Sequence, residues 1–336
     1  MNKYLFFRTD RIGDFIVTLI LVNSIKRHDQ NSKIIFIGSK KNYHFIKKIK
    51  LIDEVYLYPQ SSLIGKIKLI KYLNDENLDY IFVTDGKKKS IVLSLFIKSQ
   101  KKIFNVTKSI FKKIFKLSSI KVFYDDEETI NKIDIIKKNL EYIKFRYKET
   151  DLDIFDIQNV INNIKINKDF VRNLNDFSLF HFDEKWIFNN YIRTYKNIEP
   201  TISQLENFIS NIIKKTKMNL IISTGVSENS LINLLKGSMV RKFENLYIKN
   251  YDEYSLVLAD KMDFFDIQYL ILNSNILITS HGAPTHVASS FNIKILDIID
   301  VSEKSLFEKY TFHLRNYNYL LREDFKNLSK EIIDFL

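Results

Sequence analysis

Four charged side chains crowd one short stretch of the chain, "RTDRIGDF", residues 8–15. Asp10, Arg11 and Asp14 stand where an apolar run, "KYLFF", gives way to a long apolar pattern of helical length. A carboxylate at such a place has two uses. It can cap unpaired backbone N–H groups and meet the positive end of the helix. Or it can take a proton from a bound hydroxyl, as a general base within hydrogen-bond reach. Arg11 would offer a planar fork to an anionic group, and Gly13 lets the backbone come close to a ligand. With one glycine rather than three, the stretch is not a dinucleotide-binding fingerprint.

A second constellation is "ILITSHGAPTHVASSF". A strand pattern ends at Ser280, Gly282 follows, and a helix opens near Pro284, where proline suits a first turn. Backbone N–H groups there, with Thr285 and His286, make a ready anion site. An ordinary strand-to-helix turn with a capping or core histidine is the plain alternative. His281 and His286 flank the glycine five residues apart with no carboxylate cluster, which is not metal-ligand spacing. In "FHFDEKW", Lys185 could neutralise a phosphate beside the single tryptophan. In "ISTGVSEN", Glu228 could accept from sugar or ribose hydroxyls, or cap a helix. In "TDGKKKS", Lys87 to Lys89 form either a solvated charge run or a basic mouth for an anionic acceptor.

The elements that must position these residues alternate between strand and helix. Strand-like runs are 3–9, 33–39, 54–59, 80–85, 101–106 and 120–125, with helix-length segments at 15–28, 63–74 and 90–98 among them. Residues 128–145 are apolar at helical spacing, whereas 158–176 are polar, poorly periodic and read as a linker. Alternation then resumes: strands at 177–182, 219–224, 245–250, 276–280 and 294–300, helices at 202–214, 227–236, 264–273 and from Pro284, and a terminal helix in "REDFKNLSKEIIDFL". Apolar runs separated by helices indicate parallel sheets covered on both faces. The pattern gives two α/β halves, 1–165 and 166–336, with ligands expected at the carboxyl ends of the strands and in a cleft between facing sheets.

Composition sets the remaining bounds. The chain has 336 residues, 45% of them apolar and 27% charged, enough for two globular domains. With no cysteine, disulfides and thiolate metal sites are excluded. The net charge of +12 favours anionic partners, although no aromatic-and-glycine RNA-binding signature accompanies it. The longest apolar stretch, Phe15 to Val22, is too short to span a bilayer, and the first residues carry no signal-peptide pattern. A cytoplasmic protein is expected.

In their order and spacing these stretches resemble glycosyltransferase family 9, the bacterial heptosyltransferases acting on lipopolysaccharide core. The resemblance covers nearly the whole chain: the R-x-D-x-I-G-D opening, the "LDYIFVTDGKKKS" acceptor-side strand, the K-x-W donor motif in "FHFDEKW", and the late "SHGAPTHVASS" stretch. It implies a GT-B fold, an α/β architecture of two Rossmann-like domains, the first binding the acceptor and the second the nucleotide-sugar. It implies an inverting, metal-independent transfer from a nucleotide-diphosphate sugar of the ADP-heptose kind to an anionic glycan or lipid-linked acceptor in cell-surface polysaccharide synthesis. Asp14 becomes the general base. Lys185, Glu228, His281, Gly282, Thr285 and His286 become the donor side, and Arg11, Gly13, Lys87 and Lys89 the acceptor side. No metal or cofactor is implied beyond the nucleotide-sugar co-substrate. A monomer is expected, touching the inner membrane surface through basic residues that include Lys47, Lys48, Lys50 and Lys66, with no nucleic-acid partner. The family carries Asp-Thr-Gly where this chain has His281, Gly282 and Ala283. The preferred donor is therefore expected to differ from ADP-heptose or to bind more weakly, and a non-catalytic nucleotide- or glycan-binding copy is the alternative.

Overall fold

The structure, a computed structural model, describes residues 1–106, 119–124, 131–188 and 197–336. The end of the sixth predicted strand, Asp125, and the first three residues of the 128–145 helical pattern lie outside them. Two compact units result: Met1–Asp156 with Glu308–His313, and Ile157–Phe307 with Leu314–Leu336.

Unit 1 runs β1 (Lys3–Phe7), α1 (Ile12–His28), β2 (Lys33–Gly38), α2 (Tyr43–Ile46), β3 (Glu54–Leu57), α3 (Leu63–Asp75), β4 (Leu78–Val83), α4 (Lys88–Leu95), β5 (Ser99–Val106), β6 (Ile120–Tyr124) and α5 (Lys132–Tyr142). Its sheet is parallel, in the order β3-β2-β1-β4-β5-β6. Both faces are covered, which is why β1 is apolar without alternation. On one face Phe6 stacks between Phe36 and Phe82, with ring centroids 5.0 and 4.9 Å apart, and Phe15 of α1 meets Phe36 edge-on. On the other, Leu5, Phe7, Ile35 and Ile37 share a core with Leu69 and Leu73 of α3 and Leu93 of α4. Helix α1 buries residues all round because α5 packs against it.

Unit 2 runs α6 (Ile157–Asn163), α7 (Lys168–Asn173), β7 (Phe177–His181), α8 (Ile202–Thr216), β8 (Asn219–Ser223), α9 (Ser230–Lys236), β9 (Val240–Phe243), β10 (Leu246–Tyr251), β11 (Tyr254–Ala259), α10 (Phe264–Leu272), β12 (Ile276–Ser280), α11 (Ala283–Ser290), β13 (Lys294–Ile299), α12 (Lys304–Thr311, of which the part from Glu308 groups with unit 1), β14 (Tyr317–Leu321) and α13 (Phe325–Phe335). Its sheet order is β14-β13-β12-β7-β8-β11-β10-β9, parallel as far as β11 and closed by an antiparallel β11-β10-β9 edge. Phe180, Phe182, Trp186, Phe208 and Phe325 form the aromatic centre of its core.

The structure corrects the predicted organisation in three places. The boundary falls at Asp156/Ile157, not 165/166: Asp266 of α10 accepts the Lys165 and Ile166 amides at 2.7 and 2.8 Å, and α6 packs on α10. Residues 308–313 group with unit 1 rather than with the C-terminal half. The stretch read as a linker holds α6 and α7; Asn167 caps α7 by accepting the Phe170 amide at 2.9 Å. Strands β9, β11 and β14 escaped the sequence reading. The loop joining β10 to β11 is two residues long and needs Asp252 at φ 51°, a conformation an aspartate tolerates better than most side chains.

Candidate functional site

Each sheet has one point where the strand order reverses. In unit 1 it lies between β1 and β4, and in unit 2 between β7 and β12. Open α/β sheets bind ligands outside the carboxyl ends of the strands at such points.

In unit 1, Arg8 follows β1 and is 8% exposed. Its guanidinium donates to the Thr84 carbonyl at the end of β4, lies 3.1 Å from Asp14 Oδ1, and lies 3.6 Å from Asp10. Asp14 occupies the first turn of α1, as expected, but no side-chain cap is made at Arg11, the residue before the helix. The carboxylate is held by Arg8 and by the phenol of Tyr310. Burial first, and then the Asp14 charge, pushes the Tyr310 phenol up to about 12, so it remains a donor at neutral pH.

Lys87 joins this group. Its ammonium meets Asp10 and lies 3.3 Å from Thr9 Oγ1, while Asp85 gathers the Thr9 hydroxyl and the Ser90 hydroxyl, both at 2.7 Å. Lys89 does not join it; its ammonium sits 4.7 Å from the centre of the Tyr58 ring. Arg11 is exposed, and Gly13 lies in the first turn of α1.

Lys132, at the start of α5, places its ammonium 4.5 Å from the centre of the Tyr310 ring. Burial, reinforced by Arg8 and Lys309 and opposed by Asp14 and Asp10, lowers it from 10.5 to about 8. The unfolded chain therefore binds more protons between roughly pH 8 and 10.5, and stability rises with pH across that window. A shift of this size is worth roughly 3 kcal/mol, of which the contact with the Tyr310 ring returns about 1–2 kcal/mol. Lys132→Met is thus expected to stabilise the chain by about 1–2 kcal/mol at pH 7. It should also flatten the alkaline rise, read as the urea midpoint against pH for variant and parent.

In unit 2, β7 delivers Lys185 and β12 delivers His281 and Gly282. Asp183 caps the turn holding Lys185, accepting its amide and its ammonium, each at 3.0 Å. Burial would push the Asp183 carboxyl up, but Lys185 and His181 beside it bring it below the usual range. Trp186 anchors this turn, 1% exposed and donating to the His181 carbonyl at 3.2 Å. The Lys185 ammonium reaches Gly282, where a Cβ would lie 2.7 Å from it. That puts a cation at the N-terminal end of α11, where backbone N–H groups also favour an anion. Gly282→Ala should leave the fold intact, because the flexible lysine end can move aside. It should weaken binding of a nucleoside diphosphate by roughly tenfold, or 1.4 kcal/mol, measurable by calorimetric titration.

His281 and Thr285 converge on Asp297, a carboxylate of β13 with no exposed surface. His281 Nδ1 lies 2.6 Å from Oδ2, the Tyr317 hydroxyl 3.1 Å from the same oxygen, and Thr285 Oγ1 3.2 Å from Oδ1. Facing a carboxylate that only accepts, Nδ1 carries a proton, and in that tautomer Nε2 is the ring's acceptor. His286 is buried in α11, its ring centre 5.6 Å from that of His281. Glu228 lies on the loop after β8, 78% exposed and paired with Lys261 at 2.8 Å. Among the described residues no cluster of His, Cys, Asp or Glu could hold a metal ion, and no helix is long and apolar enough to cross a membrane.

Two Rossmann-like units, each with its chemistry at the strand-order reversal, define a GT-B architecture. Among solved structures the chain is similar to Escherichia coli heptosyltransferase WaaC with ADP, with a TM-score of 0.66, 10% identity, and coverage of 99% of this chain and 97% of that one. It is similar to the glycosyl transferase family 9 structure from Veillonella parvula, with a TM-score of 0.62, 12% identity, and coverage of 99% and 91%. The UDP-GlcNAc 2-epimerase of Methanocaldococcus jannaschii follows the same fold at a TM-score of 0.53, 12% identity, and coverage of 99% and 92%. No family model matches the chain. No curated protein matches it either.

Proposed function

We propose that the chain is an inverting glycosyltransferase that moves a sugar from a nucleotide-diphosphate donor to a hydroxyl of an anionic glycan or lipid-linked acceptor. Unit 1 takes the acceptor and unit 2 the donor. The observation that carries this reading is the Lys185 ammonium at the Gly282 end of α11, held by buried Asp183. A leaving diphosphate needs a cation and N–H donors of this kind, and the reading assigns its charge to them without a metal ion. Asp14 takes the acceptor proton, the freed oxygen attacks the anomeric carbon, and the bond to the diphosphate breaks with inversion.

Donor choice rests on His281. Where the family places a carboxylate, this chain places an imidazole backed by Asp297, so a sugar hydroxyl donating to Nε2 replaces one donating to a carboxylate. Sites that hydrogen-bond a hydroxyl reject analogues lacking it, and the preferred donor accordingly differs from ADP-heptose. Thermal-shift and turnover measurements with ADP-, GDP-, UDP- and CMP-linked sugars test the reading. A ligand at 100 times its Kd adds about 2.7 kcal/mol of stability. One nucleotide class should stabilise the chain, and nucleoside diphosphate should appear when an acceptor is supplied.

A second reading, a nucleotide- or glycan-binding protein without transfer, draws on the same contacts: Asp183 already meets the Lys185 charge and Asp297 the His281 ring. It predicts stabilisation without product.

A lipid-linked acceptor calls for contact with a membrane surface. Helix α3 exposes Leu63, Ile64 and Ile67, at 71%, 69% and 58%, around the predicted Lys66. Lys50 is paired with Asp156 at 2.7 Å and adds little charge. Each basic residue near an anionic surface is worth about 1 kcal/mol. Flotation with anionic vesicles should be salt-sensitive and should fall in the double variant Ile64→Asp, Lys66→Glu; unchanged flotation would remove α3 from this role.

A further inference from the structure

One helix meets both of the groups given a part in the chemistry. Helix α12 follows a turn in which Asp300 accepts the Ser302 amide and hydroxyl, at 2.9 and 2.7 Å. Its residues up to Phe307 group with unit 2, and those from Glu308 group with unit 1. Past the helix the chain is pinned in unit 2 again, where the Arg315 amide donates to Ser289 Oγ of α11 at 2.8 Å. Within unit 2 the Phe307 ring rests on the His281 imidazole, with centres 4.6 Å apart and planes tilted by 54°. Within unit 1 the Tyr310 phenol donates to Asp14, and the Lys132 ammonium lies over the same ring. Phe307 and Tyr310 are three residues apart in α12. That spacing puts them on one face of the helix, about 4.5 Å apart along its axis.

We infer that α12 is a strut that aims the general base, with Phe307 and Tyr310 as its positioning residues. Asp14 needs such help. The Arg8 guanidinium is divided among the Thr84 carbonyl, Asp10 and Asp14, so it secures the charge of Asp14 more than its direction. The phenol is a single directed donor, and its place fixes how the carboxylate faces an acceptor hydroxyl. A helix closed by its own backbone hydrogen bonds moves as a body. The place of Tyr310 therefore depends on the seat of Phe307, and that seat is an imidazole fixed in turn by Asp297 at 2.6 Å. A sugar hydroxyl on His281 Nε2 would bear on the ring against which the strut rests. The inference rests on the transfer reading for the duties of Asp14 and His281. It goes beyond that reading because Phe307 and Tyr310 act through those two groups, where a small misplacement costs up to about 10²-fold in rate.

The first test needs no ligand. The full chain carries 3-fluorotyrosine in place of Tyr310, and its fluorine resonance is followed against pH. Burial first, and then Asp14, pushes the Tyr310 phenol up to about 12, so the fluorinated ring should titrate well above free 3-fluorotyrosine. Phe307→Ala, checked for folding by circular dichroism, should bring that titration down toward the free amino acid. An unchanged titration would show that Tyr310 keeps its place without Phe307 and would overturn the strut. The second test is kinetic, in the transfer assay. Tyr310→Phe should lower kcat about tenfold at an unchanged KM for the nucleotide-sugar, and Phe307→Ala should lower kcat by a similar factor. The double variant should lose no more than the larger single loss, because the two residues serve one contact. Independent losses that multiply, or a Tyr310→Phe variant with unchanged kcat, would overturn the proposal. Transfer by the parent chain with an unmoved fluorine titration would leave the transfer reading standing and remove the strut. A chain that transfers nothing would remove the transfer reading, and the fluorine titration would still decide whether Phe307 holds Tyr310.

Discussion

Asp14→Asn is expected to lower sugar transfer by roughly 10²–10⁴-fold while the chain stays folded and still binds nucleotide. The two halves of that expectation have separate causes. Asparagine keeps the shape of the side chain and can still accept from Tyr310, but it cannot take a proton from an acceptor hydroxyl. The structural loss is small, since Asp14 is 29% exposed and shares Arg8 with Asp10; about 1 kcal/mol covers an interaction of that kind. Nucleotide affinity should stay, because Lys185 and Gly282 belong to unit 2. The measurement is turnover beside a nucleotide titration and a urea midpoint. Unchanged turnover with an unchanged fold would remove Asp14 from the chemistry and leave it a partner of Arg8. Asp10→Asn is the useful comparison: it removes the same charge from the Arg8 guanidinium and from Lys87 without touching the general base.

That contrast bears on the question raised by "RTDRIGD". From sequence, Asp14 was open to two readings, a helix cap or a base. The backbone before α1 makes no side-chain cap, and the carboxylate turns to Arg8 instead. Arg8 itself gave little sign of its part, because an arginine at a strand end is commonplace until β4 is known to lie next to β1. The sheet order β3-β2-β1-β4 is a matter of crossovers, and no local pattern states it. The same holds for Tyr310 and Lys132. They lie 178 residues apart in sequence and meet only because residues 308–313 pack with unit 1.

Other parts were legible, for physical reasons. Apart from β11 and β14, the parallel strands read as apolar runs and were placed to within two residues or so. Lys185, Gly282 and Thr285 were named from strand-to-helix junctions and do come together, since β7 and β12 are neighbours at the reversal point of the second sheet. Segment 158–176 failed because α6 and α7 are short and polar, and their helical state comes from caps and from packing on α10 rather than from periodicity. Asp297 left a usable trace. It is a carboxylate inside "KILDII", an otherwise apolar strand, and a buried strand tolerates one only where donors wait for it.

Those donors make Asp297 the site of the second large effect. Asp297→Ala should cost about 2–4 kcal/mol of stability, because it strands three partners at once: the His281 ring, the Thr285 hydroxyl and the Tyr317 hydroxyl. Burial sets the size, as the carboxylate has no exposed surface and water cannot take its place without a cavity opening. Thr285 also accepts the Gly282 amide at 3.3 Å, so the loss reaches the start of α11, where the diphosphate is proposed to bind. Nucleotide affinity should fall by about tenfold in the same variant. Asp297→Asn separates charge from contact. It keeps the volume, can still accept from Thr285, and offers the His281 proton a weaker partner, so its cost should be nearer 1–2 kcal/mol. If alanine and asparagine cost the same, the network matters for its shape alone. If neither changes stability or nucleotide affinity, His281 is held by other means, and the imidazole proposed to read the donor sugar owes nothing to β13.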